Sequence, residues 1–172
     1  MCPVPGACPV HFASIRYMVV PIHDTAVQDI TAVVRPVSDF IRAELARVPG
    51  RKVLVHCNKG MSRSASLVIA HLMLGGGMRL LAALKACRDV RPQVKPNGFF
   101  MVQLSALEQS LYDGVTLDWR KYWRNKYAGA DVLGAGRGAQ HQVPTEEDRA
   151  SITASVPDWC RQRRGLTVGS QA

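Results

Sequence analysis

Cys57 and Arg63 stand six positions apart in the stretch VLVHCNKGMSRSASLVIAHLM (53–73), and Gly60 lies between them. A β-branched run precedes the cysteine and a strongly apolar helical pattern follows the arginine. A strand that turns through a short loop into a helix makes an anion site. The loop's N–H groups converge there, and the helix start adds partial positive charge. A cysteine opening that loop is held largely as thiolate, because such surroundings lower a thiol pKa from about 8.5 to roughly 3.5–7.5. Gly60 lets the loop turn without a Cβ clash and keeps its amides inward. Arg63 can grip two oxygens of a tetrahedral anion with its planar fork. A nucleophile, a nest of donors and a bidentate clamp around one anion is the chemistry of phosphoryl transfer to sulfur.

The elements that must hold this loop can be read on either side of it. Residues 16–22 (RYMVVPI) form a strand in this reading, and residues 52–56 (KVLVH) a short strand of the kind buried in a parallel sheet. Residues 31–48 are helical by the three- and four-residue recurrence of Val33, Val34, Val37, Phe40, Ile41 and Leu45. Pro36 places the regular part of that helix near Val34 onward. Further helices are expected at 63–74, closed by Gly75-Gly76-Gly77, at 78–89, and at 98–112, closed by Asp113-Gly114. From Ala128 the chain turns rich in Gly, Ala and polar residues, which reads as a disordered tail over 128–172 with a helical turn near 145–149. The expected organisation is an irregular segment 1–15, a domain over 16–127, and that tail.

Bulk properties exclude several classes. A chain of 172 residues that is 47% hydrophobic can bury a real core. No apolar run approaches the roughly 20 residues of a membrane span. The first residues, MCPVPGACPV, lack the charged and apolar regions of a signal peptide. Cys2, Cys8, Cys57, Cys87 and Cys160 are an odd, scattered set that fits neither a disulfide framework nor paired zinc ligands. Cys2, Cys8 and His11 match no familiar metal spacing. A reducing setting, cytoplasm or nucleus, is therefore expected. The net charge of +9 is spread out: 13 Lys/Arg against 7 Asp/Glu in residues 1–114, and 9 against 6 in residues 115–172. Only WRKYWRNKY (119–127) mixes basic and aromatic residues, and it reads better as an amphipathic helix than as a nucleic-acid surface. The diffuse positive field suits acidic or phosphorylated partners.

A bare C-x5-R would be weak. Here it comes with a buried strand, His56, Gly60, Ser62, Ser64 and an apolar helix, and VLVHCNKGMSRS resembles the phosphate-binding loop of the Cys-based protein tyrosine phosphatases. The Ser-Arg-Ser ending is similar to that of the dual-specificity phosphatases. The segment LLAALKACRDVRPQVKPNGFFMVQL (80–104) resembles a further block of that family, with Asn97, Gln103 and Leu104 at the family's spacing and Phe99 where relatives carry glycine. The resemblance covers about residues 16–112. It implies an α/β fold, a central, mostly parallel sheet flanked by helices.

Carried over by position, the resemblance makes Cys57 the nucleophile that becomes phosphocysteine. Arg63 and the amides of Asn58, Lys59, Gly60, Met61 and Ser62 become the phosphate site. His56 would order the loop, Ser64 would assist breakdown of the thiophosphate, and Asn97 would buttress the loop. Ser64 also fits a helix-capping serine. A leaving alkoxide or phenoxide needs a proton. The family draws it from an upstream aspartate, which PIHDTAVQDI supplies as Asp24, 33 positions before Cys57, with Asp29 as competitor. No metal and no cofactor are implied.

The family reading is an atypical dual-specificity phosphatase that acts on phosphotyrosine and phosphoserine/threonine in proteins. On that reading no kinase-binding rhodanese-like domain is expected. Relatives carry an additional helix and early strands ahead of the acid loop, where this chain offers only MCPVPGACPVHFASI, so the domain is expected to be shortened at that side. A sheet of two strands is marginal. Two alternatives therefore stand beside it: a catalytically weak phosphatase-fold module that binds phosphoproteins, and a phosphatase for a non-protein substrate such as RNA 5′ ends, phosphoinositides or glycans. Ser64-Ala65 disfavours the latter, and Lys59 weakly favours it.

Overall fold

The structure, a computed structural model, describes residue 12, residues 14–118, and residues 146, 147 and 150. Four helices are defined among the described residues: α1 (Thr31–Arg47), α2 (Arg63–Gly76), α3 (Leu80–Val90) and α4 (Gly98–Tyr112). Each falls within a few residues of its expected place. Helix α2, which starts at the loop arginine, packs against all three others.

Helix α1 begins ahead of the expected Val34. The Asp29 carboxylate accepts from both the Thr31 N–H and the Thr31 hydroxyl at 2.7 Å. The Ile30 carbonyl accepts from Val33 and Val34, which completes a tight first turn. Pro36 then sits inside the helix, where its ring removes only the hydrogen bond to the carbonyl four residues back.

Helix α4 is apolar around most of its circumference and buried from Gly98 through Glu108, as befits a central element. Phe99 is 6% exposed in its first helical turn; a side chain is accommodated where the family pattern has glycine. Beyond α2, Gly77 takes a left-handed φ of +66° and its N–H bonds the Leu72 carbonyl. Asp113 ends α4 in the same conformation at φ +53°.

Glu108 of α4 is fully buried and ties three segments together. Its carboxylate accepts from Arg79 Nε (3.0 Å), the Leu80 N–H (2.9 Å), and the N–H (2.7 Å) and hydroxyl (2.6 Å) of Thr116. Burial opposes its ionisation, but the Thr116, Leu80 and Arg79 donors outweigh that and hold the carboxyl below its usual range.

The sheet is where the outcome differs from expectation. Residues 16–22 and 52–56 run extended, but no strand is formed among the described residues. The backbone of Val53 to His56 makes no hydrogen bond among the described residues, and side chains of both segments line one cavity. Both still show the period of two expected of strands: Val53 and Val55 half-buried against Leu54 and His56 exposed, Val20 and Ile22 buried against Val19 and Pro21 exposed. The β pattern is present, and among the described residues the ladder pairing is not.

Residues 1–11 (with Cys2, Cys8 and His11), the aromatic–basic stretch 119–127, Cys160 and nearly all of the 128–172 tail lie outside the described residues. Glu146, Glu147 and Ala150 are described and helical, within and beside the expected turn at 145–149.

Candidate active site

The extended residues 52–56 deliver Cys57 to the mouth of a loop over 58–62 that feeds directly into α2. What shapes the loop is the treatment of its carbonyl groups. Arg91 donates through Nη2 to the Lys59 carbonyl (3.1 Å) and through Nε to that of Gly60 (3.3 Å). The Lys95 N–H takes the Met61 carbonyl at 2.8 Å, and Ser66 takes that of Ser62 with both N–H and hydroxyl at 2.8 Å. Four successive carbonyls are thus held by groups outside the loop, which turns the amides toward its centre. Gly60 carries the positive φ of +67° that the turn demands, and a Cβ there would press on the Arg91 guanidinium at 3.4 Å.

At that centre stands the Cys57 sulfur. Its partial burial opposes ionisation, yet the Ser64 hydroxyl and N–H, the Gly60 N–H and the Arg63 charge together bring the thiol below its ordinary pKa. The Ser64 hydroxyl is 3.3 Å from the sulfur. Ser64 lies inside α2, one residue past its start, and makes no capping bond; its hydroxyl faces the cysteine instead. Arg63 is the first residue of α2, and its Nε is buried without a hydrogen-bond partner among the described residues. A buried, unsatisfied guanidinium donor beside a ring of inward amides is a binding position for an anion.

Asp24 reaches the loop from the opposite side. Its Oδ1 accepts from the Ser62 hydroxyl and from Asn97 Nδ2, both at 2.7 Å. Asn97 is the hub: its side-chain oxygen caps α4 by accepting from the Phe100 N–H (2.8 Å), and its own N–H donates to Ser62 Oγ (3.0 Å). Gln103 of α4 secures the end of the Asp24 segment by accepting from the Ile30 N–H (2.7 Å) and donating to the Gln28 carbonyl (2.9 Å). Asp29, the competing aspartate, is engaged in starting α1.

Cys57, Ser62, Arg63, Ser64, Asp24 and Asn97 are thus brought into one site. Asn58 and Lys59 are exposed on its rim. His56 is not brought in: it is exposed, faces the cavity between the extended segments, and its imidazole makes no hydrogen bond among the described residues. Arg91 had no assigned role in the sequence; the only signal was its place before Pro92 in the second motif block.

The family model "Dual specificity phosphatase, catalytic domain" matches residues 4–110. Human dual specificity protein phosphatase 26 is 43% identical over 101 residues, 59% of this chain and 47% of that protein. Human dual specificity protein phosphatase 2 is 36% identical over 106 residues, 61% of this chain and 33% of that one. The chain spans about half the length of the first of these and a third of the second. Among solved structures, human DUSP28 superposes with a TM-score of 0.51 at 31% identity, over 54% of this chain and 64% of that one. The human tyrosine phosphatase-like serine/threonine/tyrosine-interacting protein superposes with a TM-score of 0.51 at 38% identity, over 55% and 62%. The likeness extends to the fold, which is phosphatase-like.

Proposed function

Because the chain belongs to the family of dual specificity phosphatase catalytic domains, we propose that it hydrolyses phosphotyrosine and phosphoserine/threonine in protein substrates through a phosphocysteine. The observation that carries the reading is the pairing of a thiol of lowered pKa with a buried Arg63 Nε that has no partner among the described residues, in one loop whose carbonyls from Lys59 to Ser62 are tied outward.

In this mechanism the Cys57 thiolate attacks phosphorus. The S–P bond forms as the P–O bond to the leaving group breaks. Arg63 and the amides of Asn58 to Arg63 hold the equatorial oxygens, where charge accumulates. Asp24 passes a proton to the departing oxygen. Its Oδ1 is held by Ser62 and Asn97, so Oδ2 carries the proton. Water then attacks phosphorus, gives its proton back to Asp24, and releases the thiolate, with the Ser64 hydroxyl stabilising the returning charge on sulfur. Residues 16–127 form the catalytic domain in this reading, acting in cytoplasm or nucleus, with 16–22 and 52–56 as members of a mostly parallel sheet.

Turnover of para-nitrophenyl phosphate by the purified chain tests the proposal. Wild type should release phosphate, and Cys57→Ser should lower the rate by on the order of 10⁴-fold while still binding vanadate or phosphate. Near-normal turnover by Cys57→Ser would refute the mechanism. The second reading, a phosphoprotein-binding module, is favoured by the 52–56 segment leading to Cys57, whose backbone has no partner among the described residues. It predicts phosphopeptide binding by the wild type without turnover.

A further inference from the structure

Behind the catalytic loop lies a cavity of about 340 Å³, lined by α2, α3 and the turn that follows α3. Its lining is apolar: Val68 and Leu72 come from α2, Ala86 and Val90 from α3, and Val94 from the turn. Val90 lines it and is still 89% exposed, which places it at the open side. Gly60 and Ser64 also line it. An occupant therefore lies against the back of the loop, beside the Ser64 hydroxyl that stands 3.3 Å from the Cys57 sulfur. The volume is at the small end of the range for small-molecule sites, about 300–1,000 Å³.

Among the described lining residues one is charged, Arg91, and it is exposed. Its Nε donates to the Gly60 carbonyl at 3.3 Å and its Nη2 to the Lys59 carbonyl at 3.1 Å. Those two bonds spend one edge of the planar guanidinium. The opposite edge, Nη1 with the second Nη2 proton, makes no hydrogen bond among the described residues. Two parallel N–H groups on such an edge match the two oxygens of a carboxylate. An apolar recess with that fork at its edge fits a hydrocarbon chain that ends in an anion.

We propose that this cavity binds a free single-chain carboxylate amphiphile, a fatty acid, with its hydrocarbon between α2 and α3 and its carboxylate on the outer edge of Arg91. Burial of the chain against Val68, Leu72 and Ala86 supplies affinity, and the charge-assisted fork supplies the preference for an anionic head. A bilayer is a poorer match, because the apolar lining is recessed between helices and a single cation stands at it.

Alkylation of Cys87, a half-buried thiol that lines the same cavity, reads occupancy directly. Decanoate, kept monomeric, should at saturation slow the reaction of Cys87 with iodoacetamide by about tenfold or more, scored by peptide mapping of the full chain. Decanol should need about tenfold more for the same protection, since it lacks the charge that the fork binds. Arg91→Met should erase this advantage of decanoate over decanol. Val90→Glu, an exposed change that sets a carboxylate beside the fork, should likewise cost decanoate more than decanol. No protection by decanoate in the wild type, equal protection by decanol, or an advantage that survives in both variants overturns the proposal. Protection by phosphatidylglycerol vesicles where decanoate gives none assigns the cavity to a membrane surface and overturns it too. None of these readouts depends on turnover.

Discussion

Residues 52–56 and 57–63 adjoin in the chain and differ in almost everything that holds them. In the loop, the carbonyls from Lys59 to Ser62 are all engaged, by Arg91, Lys95 and Ser66. In the segment before it, four residues of backbone go without a partner among the described residues. The supports of the loop come from α2 and from residues 91–97 on the far side, not from the segment that delivers the cysteine. A reactive centre is therefore held from its C-terminal side, while the segment on its N-terminal side has no backbone partner among the described residues.

The comparison breaks most severely at Arg63. Arg63→Lys should lower kcat/KM for aryl phosphates by about 10³-fold, the scale of losing a fixed donor to developing charge, since a point charge cannot span two oxygens. Steady-state kinetics read this directly, and a loss below tenfold would mean the loop amides do the binding alone.

Asp24→Asn comes next. It should slow phosphothreonine peptides by about 10²-fold, within the range of general acid catalysis. Activated aryl phosphates, whose leaving groups depart almost unaided, should suffer much less. Equal losses on both would reduce Asp24 to a tie between Ser62 and Asn97.

Arg91→Met removes the outward hold on two carbonyls without touching the sulfur. At about 1 kcal/mol per hydrogen bond, the loop should lose roughly tenfold or more in phosphate affinity, measured by competitive inhibition. An unchanged inhibition constant would show that the loop keeps its shape without its outer ties.

The two described thiols sharpen the contrast further. Burial raises the Cys87 thiol, whereas Ser64, Gly60 and Arg63 overcome burial and lower that of Cys57. Iodoacetamide at neutral pH should modify Cys57 about tenfold faster or more, as peptide mapping will reveal. A thiol whose folded pKa lies below its unfolded value adds stability that is fully present above the unfolded value and lost as pH falls through the folded one. Cys57→Ser should therefore narrow the stability gain between neutral and alkaline pH. Equal labelling of the two thiols in the folded chain would count against an activated Cys57.

The smallest effect belongs to the open segment. Leu54 is 84% exposed and lies at the rim of the cavity beside residues 52–56. Leu54→Thr should change stability by no more than about 0.5 kcal/mol in denaturant titration, as for other substitutions outside the core. A large loss would mean that this face is covered.

What residue order determined here was local. The four helices are legible because apolar spacing, Gly75-Gly76-Gly77 and Asp113-Gly114 act within a turn or two of the residues they concern. The nucleophile and clamp are legible for the same reason, since Cys57, Gly60 and Arg63 share one loop. Tertiary structure decided what depends on distant partners. Arg91 became a brace because α3 ends beside the loop, and Asn97 joined Asp24 across 73 positions because α4 begins there. Ser64 turned to the sulfur rather than capping its helix. A period of two announces that a segment can be a strand, but a strand exists only when another backbone lies alongside to exchange hydrogen bonds. For residues 52–56 the pattern was written in the sequence, and among the described residues no neighbouring backbone pairs with it.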